Sequence, residues 1–347
     1  MIAAKAYAAL DAKTPLQPFS FSRRDLRTDD VQVKILFCGV CHSDIHQARN
    51  EWGGSMYPMV PGHEIVGEVV STGTGVTRFK TGDIVGVGVM IDSCCSCKNC
   101  NNNQEQYCEE GMTGTYNAIE RDGVSIAQGG YSSQIVVKER FVLSISKKLD
   151  LAGAAPLLCA GITTYSPLRF AGVKAGQKVA VVGLGGLGHM GVKFAASFGA
   201  EVTVISTSPK KEEDARRLGA HHFLLSTDAA AMKKHASHFD VILDTVSANH
   251  DYTFLLDLLD LEGKLLIVGL PSKEPTLSPF SLITKRRSII GSMIGGMKET
   301  QEMLDYCAEK NIVSDVEVIP AKYINEAYER MIKSDVKYRF VIDLATL

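Results

Sequence analysis

The chain has 347 residues, of which 45% are hydrophobic and 22% are charged, and its formal net charge is −2. This length predicts two domains, and the near-neutral charge excludes the basic surface that nucleic-acid binding needs. No apolar run reaches the ~18 residues of a membrane span, and residues 1–10 lack the pattern of a signal peptide. The nine cysteines are therefore expected as metal ligands or buried thiols of a cytoplasmic protein.

Two patterns of predicted elements follow each other along the chain. Short β-branched runs broken by Gly, Pro and Asp fill the first part and predict irregular β structure, with strands over Val31–Phe37, Ile65–Ser71, Ile84–Val89 and Tyr131–Val137. From Leu151 onward, strands over Lys178–Val182, Glu201–Ile205, Val241–Asp244 and Lys264–Val268 alternate with helical segments. This alternation predicts βαβ units and a parallel sheet. The end predicts a helix over Thr300–Asn311 and strands over Val316–Ile319 and Tyr338–Asp343.

A cluster of cysteines in the first part has the spacing C-x2-C-x2-C-x7-C. Thiolates so spaced let one small lobe complete a tetrahedral zinc site, with ligands Cys94, Cys97, Cys100 and Cys108. The regular spacing leaves Cys95 facing outward. Because four protein ligands leave no position for a substrate, this site is predicted to be structural. Cys41, His63 and Cys159 lie on either side of the cluster and offer a second, open set of zinc ligands.

The second part contains a glycine-rich motif, G-x-G-x-x-G, directly after an apolar strand and before the amphipathic segment Met190–Phe198. This context predicts a dinucleotide-binding turn, whereas a glycine-rich turn of an unrelated α/β fold is the alternative. Gly183 would make the tight turn, Gly185 would let the pyrophosphate approach, and Gly188 would let helix and strand pack closely. The backbone contacts are predicted at Gly183, Leu184, Gly185, Gly186, Leu187 and Gly188.

The strand after this motif ends in the polar sequence STSPKK, without an acid. An NAD enzyme places Asp or Glu ~20 residues past the last glycine to bind the ribose 2′-OH. Hydroxyl and ammonium groups instead suit a 2′-phosphate, which predicts NADP(H) bound by Ser206, Thr207, Ser208, Lys210 and Lys211. A compatible alternative is that Ser208 caps a helix whose first residue is Pro209, with solvated lysines.

Two further motifs relate the chain to a known family. Residues 41–46 read CHSDIH, and residues 62–76 match G-H-E-x2-G-x5-G-x2-V. Together with the cysteine cluster, Cys159 and the glycine motif, they make the chain resemble the zinc-dependent medium-chain alcohol dehydrogenases over essentially its whole length. The segments 39–44, 57–64, 156–161 and 291–295 are most similar to the cinnamyl alcohol dehydrogenase branch, in its bacterial aldehyde-reductase form.

The resemblance implies an α/β fold with two domains. A GroES-like, β-rich catalytic domain would comprise residues 1–152 and 296–347, with the structural zinc lobe near residues 92–110. A Rossmann domain with a doubly wound parallel sheet would comprise residues 153–295 and bind NADP(H). The family also implies a homodimer formed through the cofactor domains, near Ser288–Ile294.

The resemblance also implies the roles of the site residues. Cys41, His63 and Cys159 would bind a catalytic zinc, the second Zn²⁺ of each subunit, and Glu64 would be able to take its fourth position. Asp44 would orient the histidine ligand, while Ser43 and His46 would carry a proton between the zinc-bound oxygen and solvent. The matched cofactor contacts are His42 near the phosphates and Thr163, Thr245, Gly269, Ser292, Met293 and Ile294.

The substrate pocket is predicted from a few matched positions. Trp52 and Met293 match pocket-lining positions, although Trp52 could instead be a core residue, and Gly54 and Gly114 replace bulkier side chains of plant members. The predicted function is an NADPH-dependent reductase of aromatic or medium-sized aldehydes, which oxidises alcohols in reverse. The alternatives are an NAD-dependent polyol or secondary-alcohol dehydrogenase of the same superfamily and, outside enzymes, a zinc-ribbon binding or regulatory protein.

Overall fold

The computed structural model describes residues 1–271 and 273–347, which divide into two compact units. The first unit comprises Met1–Cys159 and Gly295–Leu347, and the second comprises Ala160–Ile294. The first boundary falls after Cys159, later than the predicted boundary at residue 152. The reason is local packing, because the Leu158 side chain lies against Gly86 and Gly153 lies against Val313.

The first part of the chain is mainly β structure. Its strands are β1 (Ile2–Ala8), β2 (Gln17–Arg23), β3 (Asp30–Val40), β4 (Ile65–Thr72), β5 (Ile84–Val87), β6 (Met90–Asp92), β7 (Thr113–Gly114), β8 (Gln134–Lys138) and β9 (Leu143–Ser144). Its helices are α1 (His42–Ala48), α2 (Lys98–Asn101) and α3 (Leu151–Ala154). In β3, buried Val31, Val33 and Ile35 alternate with more exposed residues, as expected for a strand with one face in the core.

The second unit is a parallel sheet with helices between its strands. The strands are β10 (Lys178–Val182), β11 (Glu201–Ser206), β12 (His222–Leu225), β13 (Phe239–Asp244), β14 (Leu259–Ile267) and β15 (Ser288–Gly291). The helices are α4 (Ala160–Phe170), α5 (Gly188–Ser197), α6 (Glu212–Arg217), α7 (Ala229–Lys234), α8 (Tyr252–Leu258) and α9 (Pro279–Ile283). The strands lie in the order β12-β11-β10-β13-β14-β15. The chain adds β11 and β12 on one side of β10 and then β13, β14 and β15 on the other side. This switch in topology between β10 and β13 leaves a ligand-binding crevice at the carboxyl ends of these strands.

The last part of the chain returns to the first unit. It contains α10 (Met297–Lys310), β16 (Val316–Pro320), α11 (Ile324–Ile332) and β17 (Arg339–Asp343). Strand β17 pairs antiparallel with β3, with Phe340 opposite Val40, and parallel with β16. Pro320 is the last residue of β16, one position beyond the predicted end of that strand. This return adds two strands to the sheet that also contains β4, β5, β8 and β9.

The helices of both units are short. Among the described residues the longest is α10, with 14 residues. No single helix in this part of the chain is long and apolar enough to cross a bilayer, and only Leu151–Leu158 and Ala160–Phe170 pass that test together, as a bent pair.

Candidate active site and zinc centres

The four cysteines predicted to form a closed zinc site come together in the first unit. The sulfur atoms of Cys94, Cys97, Cys100 and Cys108 all lie within 4.8 Å of one another. The Cys97 N–H lies 3.3 Å from Cys94 Sγ and the Cys94 N–H lies 3.4 Å from Cys108 Sγ. Because N–H donors stabilise thiolates, the metal-binding form of cysteine, this lobe fits a zinc ion with four sulfur ligands.

Side chains around the lobe complete this arrangement. Cys95 lies outside the sulfur cluster, and its Sγ is 3.4 Å from the Ser93 carbonyl oxygen. Arg121 Nη2 lies 3.8 Å from Cys108 Sγ, and Arg140 Nη2 donates to the Cys100 carbonyl at 3.2 Å. Four thiolates around Zn²⁺ carry a net charge of about −2. The two guanidinium groups offset only part of it, because Arg121 also pairs with Glu110 at 3.0 Å and Arg140 with Glu105 at 3.2 Å. Neither arginine was predicted from the sequence.

The second ligand set also assembles within the first unit. Cys41, His63, Glu64 and Cys159 are all buried, and each contributes one ligand atom to a group whose members lie within 4.8 Å of one another. Cys41 follows β3, whereas His63 and Glu64 precede β4, and β3 and β4 are hydrogen-bonded neighbours. Cys159 follows the 3-10 helix Ala155–Leu158, which packs on the same sheet. Residues distant in sequence therefore converge because the sheet brings these strand ends together.

Asp44 connects the elements around the histidine ligand. Its fully buried carboxylate accepts hydrogen bonds from His63 Nδ1 at 2.9 Å and the Gly62 N–H at 3.2 Å through Oδ1. Through Oδ2 it accepts from the Cys41 N–H and the Tyr131 hydroxyl, each at 2.9 Å. Burial favours the neutral imidazole, but the charge of Asp44 outweighs it and raises the pKa of His63 well above its usual value. In the neutral tautomer, a proton on Nδ1 directed at Asp44 leaves Nε2 of His63 available to bind a metal ion.

Glu64 forms a buried ion pair that the sequence did not reveal. Arg339 Nη2 on β17 donates to Glu64 Oε1, and the two side chains are 4% and 0% exposed. The other oxygen, Oε2, has no hydrogen-bond partner among the described residues. Burial raises the pKa of Glu64 to about 7, while Arg339 acts in the opposite direction. A buried acceptor without a donor, beside two sulfurs and an imidazole, fits a bound cation.

A row of polar side chains leads from the ligand group to the surface. Ser43 Oγ lies 3.6 Å from Cys41 Sγ. His46 follows three residues later on α1, a spacing that places both side chains on one face of the helix. His46 Nδ1 lies 2.5 Å from Glu51 Oε2, and the Glu51 side chain is 46% exposed. His46 therefore has a partner, Glu51, that was not identified from the sequence, while proton transfer between Ser43 and His46 stays a prediction.

The candidate pocket residues differ in their surroundings. Trp52 is 50% exposed and its ring stacks on His46 with 5.1 Å between centroids, so the alternative that Trp52 is a core residue is wrong. His42 is exposed at the start of α1, with its ring centroid 6.2 Å from that of His46. Met293 is also exposed and belongs to the second unit.

The glycine-rich turn of the second unit has the geometry that its predicted roles require. Gly183 follows β10 with φ of +88°, a conformation that favours glycine. A Cβ on Gly188 would lie 2.1 Å from the Gly183 carbonyl oxygen, so no side chain fits where α5 begins. A Cβ on Gly185 would meet no atom of the described residues within 4 Å, so among them this backbone is open to a ligand. Free N–H groups at the start of α5 can then bind phosphate.

The residues after β11 lie beside this turn. Lys211 Nζ donates to the Leu184 carbonyl at 2.8 Å, so the lysine reaches the glycine-rich turn. The Ser208 N–H donates to Ser206 Oγ at 3.3 Å. Pro209 begins a 3-10 helix over Pro209–Lys211, but the Ser208 side chain makes no capping hydrogen bond to it. The alternative that Ser208 caps a helix is therefore wrong, whereas Pro209 is the first residue of a helix, as that alternative proposed.

The other predicted cofactor contacts lie at strand ends of the same sheet or on α4. Thr245 Oγ1 donates to the Val182 carbonyl at 2.8 Å, and a Cβ on Gly269 would lie 2.3 Å from the Val246 carbonyl oxygen. Thr245 therefore packs on the end of β10, and Gly269 packs on the segment that follows β13. The remaining ones are Thr163 on α4, Thr207 and Lys210 beyond β11, and Ser292, Met293 and Ile294 after β15.

Family comparisons agree with the fold and with the ligand sets. Residues 27–147 match the alcohol dehydrogenase GroES-like domain, and residues 186–309 match the zinc-binding dehydrogenase domain. These matches confirm the predicted α/β fold with a GroES-like part and a Rossmann part. The chain belongs to the zinc-dependent medium-chain alcohol dehydrogenase family. It is an oxidoreductase acting on CH–OH groups, which rules out the zinc-ribbon regulatory alternative.

Individual relatives are similar over nearly the whole chain. The aldehyde reductase YahK of Escherichia coli is 54% identical, with 99% of each chain covered. An NADP-dependent alcohol dehydrogenase C of Mycolicibacterium smegmatis is 54% identical over 100% of this chain and 99% of that one. Mannitol dehydrogenase of Petroselinum crispum is 54% identical over 95% and 98%. Among solved structures, a cinnamyl alcohol dehydrogenase of Sorghum bicolor has a TM-score of 0.96 at 48% identity, covering 99% and 98%.

Proposed function

We propose that the chain is a two-zinc, NADPH-dependent aldehyde reductase of the cinnamyl alcohol dehydrogenase type. Its substrates are aromatic or medium-sized aldehydes, and in reverse it oxidises the corresponding alcohols with NADP⁺. The observation that carries the proposal is the buried group of Cys41, His63, Glu64 and Cys159. This donor set occurs in a chain that is 54% identical to an aldehyde reductase, and the half-exposed Trp52 offers an aromatic surface for a ring-bearing substrate.

Each ligand group has its own part in this proposal. The four-cysteine lobe would hold a structural zinc, because four sulfurs complete its coordination. Cys41, His63 and Cys159 would hold the catalytic zinc, with Glu64 able to occupy the position that substrate needs. When bound, that zinc supplies a Lewis acid that polarises the carbonyl oxygen as NADPH delivers hydride. Asp44 keeps the proton of His63 on Nδ1, so that Nε2 stays available as a ligand.

The polar row on α1 would transfer the proton that the reaction needs. Reduction of an aldehyde requires one proton for the product oxygen, and oxidation of an alcohol releases it. Ser43 lies nearest to the ligand group, 3.6 Å from Cys41 Sγ. His46 can hold the proton on its ring, and Glu51 fixes the orientation of that ring from the solvent side. This row lets the site exchange protons without opening the ligand group to bulk water.

Substitution of Ser43 by alanine should lower kcat by about 10²-fold, because the hydroxyl nearest to the reacting oxygen is lost. Zinc content should remain at two per chain, since Ser43 is not among the ligand candidates. The conservative Ser43→Thr variant keeps a hydroxyl and should retain most of the turnover. Steady-state kinetics with metal analysis checks this, and near-normal turnover of Ser43→Ala would remove Ser43 from proton transfer.

The preference for NADPH follows from the residues after β11. No acid stands at the end of this strand, and Lys211 is held at the glycine-rich turn by its bond to Leu184. One charge-assisted hydrogen bond to a 2′-phosphate contributes about 1.5–3 kcal/mol, which corresponds to roughly 10–100-fold in affinity. We therefore expect kcat/KM for NADPH to exceed that for NADH by at least about 10-fold.

A panel of aldehydes assayed with NADPH and with NADH tests the proposal. Benzaldehyde and cinnamaldehyde should be reduced with NADPH, and Thr207→Asp should shift the preference toward NADH because an acid repels the 2′-phosphate. Thr207→Asn, similar in size to the aspartate variant but uncharged, is the matched control. Absence of NADPH-dependent turnover in zinc-loaded protein would contradict the proposed function, and a wild-type preference for NADH would contradict the cofactor assignment.

A polyol dehydrogenase is the second candidate, favoured by the 54% identity to mannitol dehydrogenase. The same zinc chemistry serves both reactions, so the difference lies in the pocket. Mannitol oxidation with NAD⁺ or NADP⁺, measured beside the aldehyde panel, separates the two. A higher kcat/KM for mannitol than for aromatic alcohols would favour this candidate.

The proposed enzyme is a homodimer formed through its second units. Strand β15 pairs with β14 on one side, and its other edge has no strand partner among the described residues. Phe280 and Ile283 of α9, in the segment before this strand, are 72% and 75% exposed. Pairing of two β15 edges would satisfy the free backbone groups and cover these apolar side chains.

A further inference from the structure

We infer that Tyr131 is a positioning residue for the catalytic zinc, because its hydroxyl fixes the Asp44 carboxylate that orients His63. The inference rests on the proposed zinc site and deepens it. No role was assigned to Tyr131 from the sequence. The tyrosine is 1% exposed and donates to Asp44 Oδ2 at 2.9 Å, while His63 Nδ1 bonds the other oxygen, Oδ1, at 2.9 Å.

Tyr131 is itself held by the segment that carries the histidine. Its N–H donates to the Pro61 carbonyl at 2.9 Å, and its carbonyl accepts from the Tyr7 N–H at 2.9 Å. Its ring lies so close to Gly62 that a Cβ there would be 2.6 Å from Tyr131 Cδ1. Tyr131 therefore contacts both the backbone next to His63 and the carboxylate that orients the His63 ring.

The two oxygens of Asp44 have different tasks in this network. Oδ2 accepts from the Tyr131 hydroxyl and the Cys41 N–H, which fixes the plane of the carboxylate. Oδ1 is then directed at His63 Nδ1 and the Gly62 N–H. Without the hydroxyl, the carboxylate loses one of the donors that stabilise its buried charge and can rotate away from His63. Loss of such an outer partner typically costs about 10–100-fold in metal affinity.

The test measures release of zinc from the full-length enzyme under excess chelator, with the four-cysteine lobe as an internal reference. In Tyr131→Phe, the catalytic zinc should leave about 10–100-fold faster than in the wild type, while release from the lobe stays unchanged. Tyr252→Phe is the matched control. This tyrosine is also buried, at 3% exposure, but it lies on α8 in the core of the second unit and belongs to neither ligand group. This control should release zinc at the wild-type rate.

A spectroscopic readout separates positioning from a general loss of packing. With Co²⁺ in the catalytic site, the visible bands should shift in Tyr131→Phe and stay unchanged in Tyr252→Phe, because the ligand field changes only if His63 moves. Equal zinc release and equal spectra in Tyr131→Phe and the wild type would overturn the inference. A wild-type chain that binds zinc only in the lobe would contradict the proposed function as well, and a metal content of one identifies that case.

A second substitution tests the same inference if the Tyr131→Phe protein fails to fold. Replacement of Tyr131 by 3-fluorotyrosine keeps the ring and the hydroxyl but makes the hydroxyl more acidic and a stronger donor. The catalytic zinc should then leave more slowly than in the wild type, again with no change at the lobe. A release rate equal to or faster than the wild-type rate in this protein would count against the role of the hydroxyl.

Discussion

Cys159→Ser should abolish most of the activity while the fold stays intact. A serine hydroxyl remains protonated where a cysteine forms a thiolate, so the catalytic group loses one of its two sulfur ligands. Loss of a Lewis acid contributing about 4 kcal/mol to transition-state stabilisation lowers kcat by about 10³-fold. The zinc content should fall from two to one per chain, and far-ultraviolet circular dichroism should not change.

Cys100→Ser is the reciprocal variant. Its sulfur belongs to the lobe, where four cysteine ligands leave no coordination position for a substrate. The first consequence should therefore be a lower Tm rather than a loss of catalytic activity. Cys307→Ala controls for the removal of a buried thiol, because Cys307 lies outside both ligand groups. If Cys159→Ser kept two zinc ions and normal turnover, the assignment of the catalytic site would be wrong.

The sequence predicted best the features that are encoded locally. The lobe cysteines and the glycine-rich turn occur within short segments, so their spacing alone constrains their geometry. Strand β10 has the predicted bounds, because an apolar run buried on both faces ends at the glycine that makes the turn. The ligand set Cys41, His63 and Cys159 is scattered, so its spacing does not constrain its geometry, and the resemblance to a family supplied the roles of its members.

The features missed from the sequence depend on contacts between distant segments. Arg339 lies 275 residues from Glu64, and nothing near either residue indicates that β17 pairs with β3. Tyr131 lies 87 residues from Asp44 and carries no motif of its own. Glu51 is close to His46, but exposed acids are common and a sequence does not show which one faces a histidine. These interactions are created by the return of the chain and by side-chain orientation.

Arg339→Leu should be the most destabilising substitution in the first unit that spares all the metal ligand candidates. The substitution leaves the Glu64 carboxylate fully buried without its cationic partner. Removal of one partner of a buried ion pair typically costs about 3–5 kcal/mol, because the remaining group must either stay charged without a partner or take up a proton. For a unit of this size the apparent Tm should fall on the order of 10 °C. Calorimetry of the chelator-treated protein measures the effect where no metal ion compensates it.

Two controls decide whether the lost charge pairing is the cause. The double variant Glu64→Gln/Arg339→Leu has no unpaired charge and should recover a large part of the lost Tm. Arg330→Leu removes an arginine that pairs with Glu317 at 2.6 Å but is 28% exposed, so its cost should stay within about 1 kcal/mol. Equal losses in Arg339→Leu and the double variant would attribute the effect to packing of the arginine side chain instead.

Zinc itself should modify the effect of Arg339→Leu. Glu64 offers an oxygen to the same group as Cys41, His63 and Cys159, so a cation held there lies close to the carboxylate that Arg339 neutralises. In the zinc-loaded protein the ion partly replaces the lost guanidinium, and the fall in Tm should be smaller than after chelation. An equal fall in Tm in both forms would mean that the metal ion does not interact with the Glu64 carboxylate. The comparison therefore tests both the ion pair and the place of Glu64 beside the catalytic zinc.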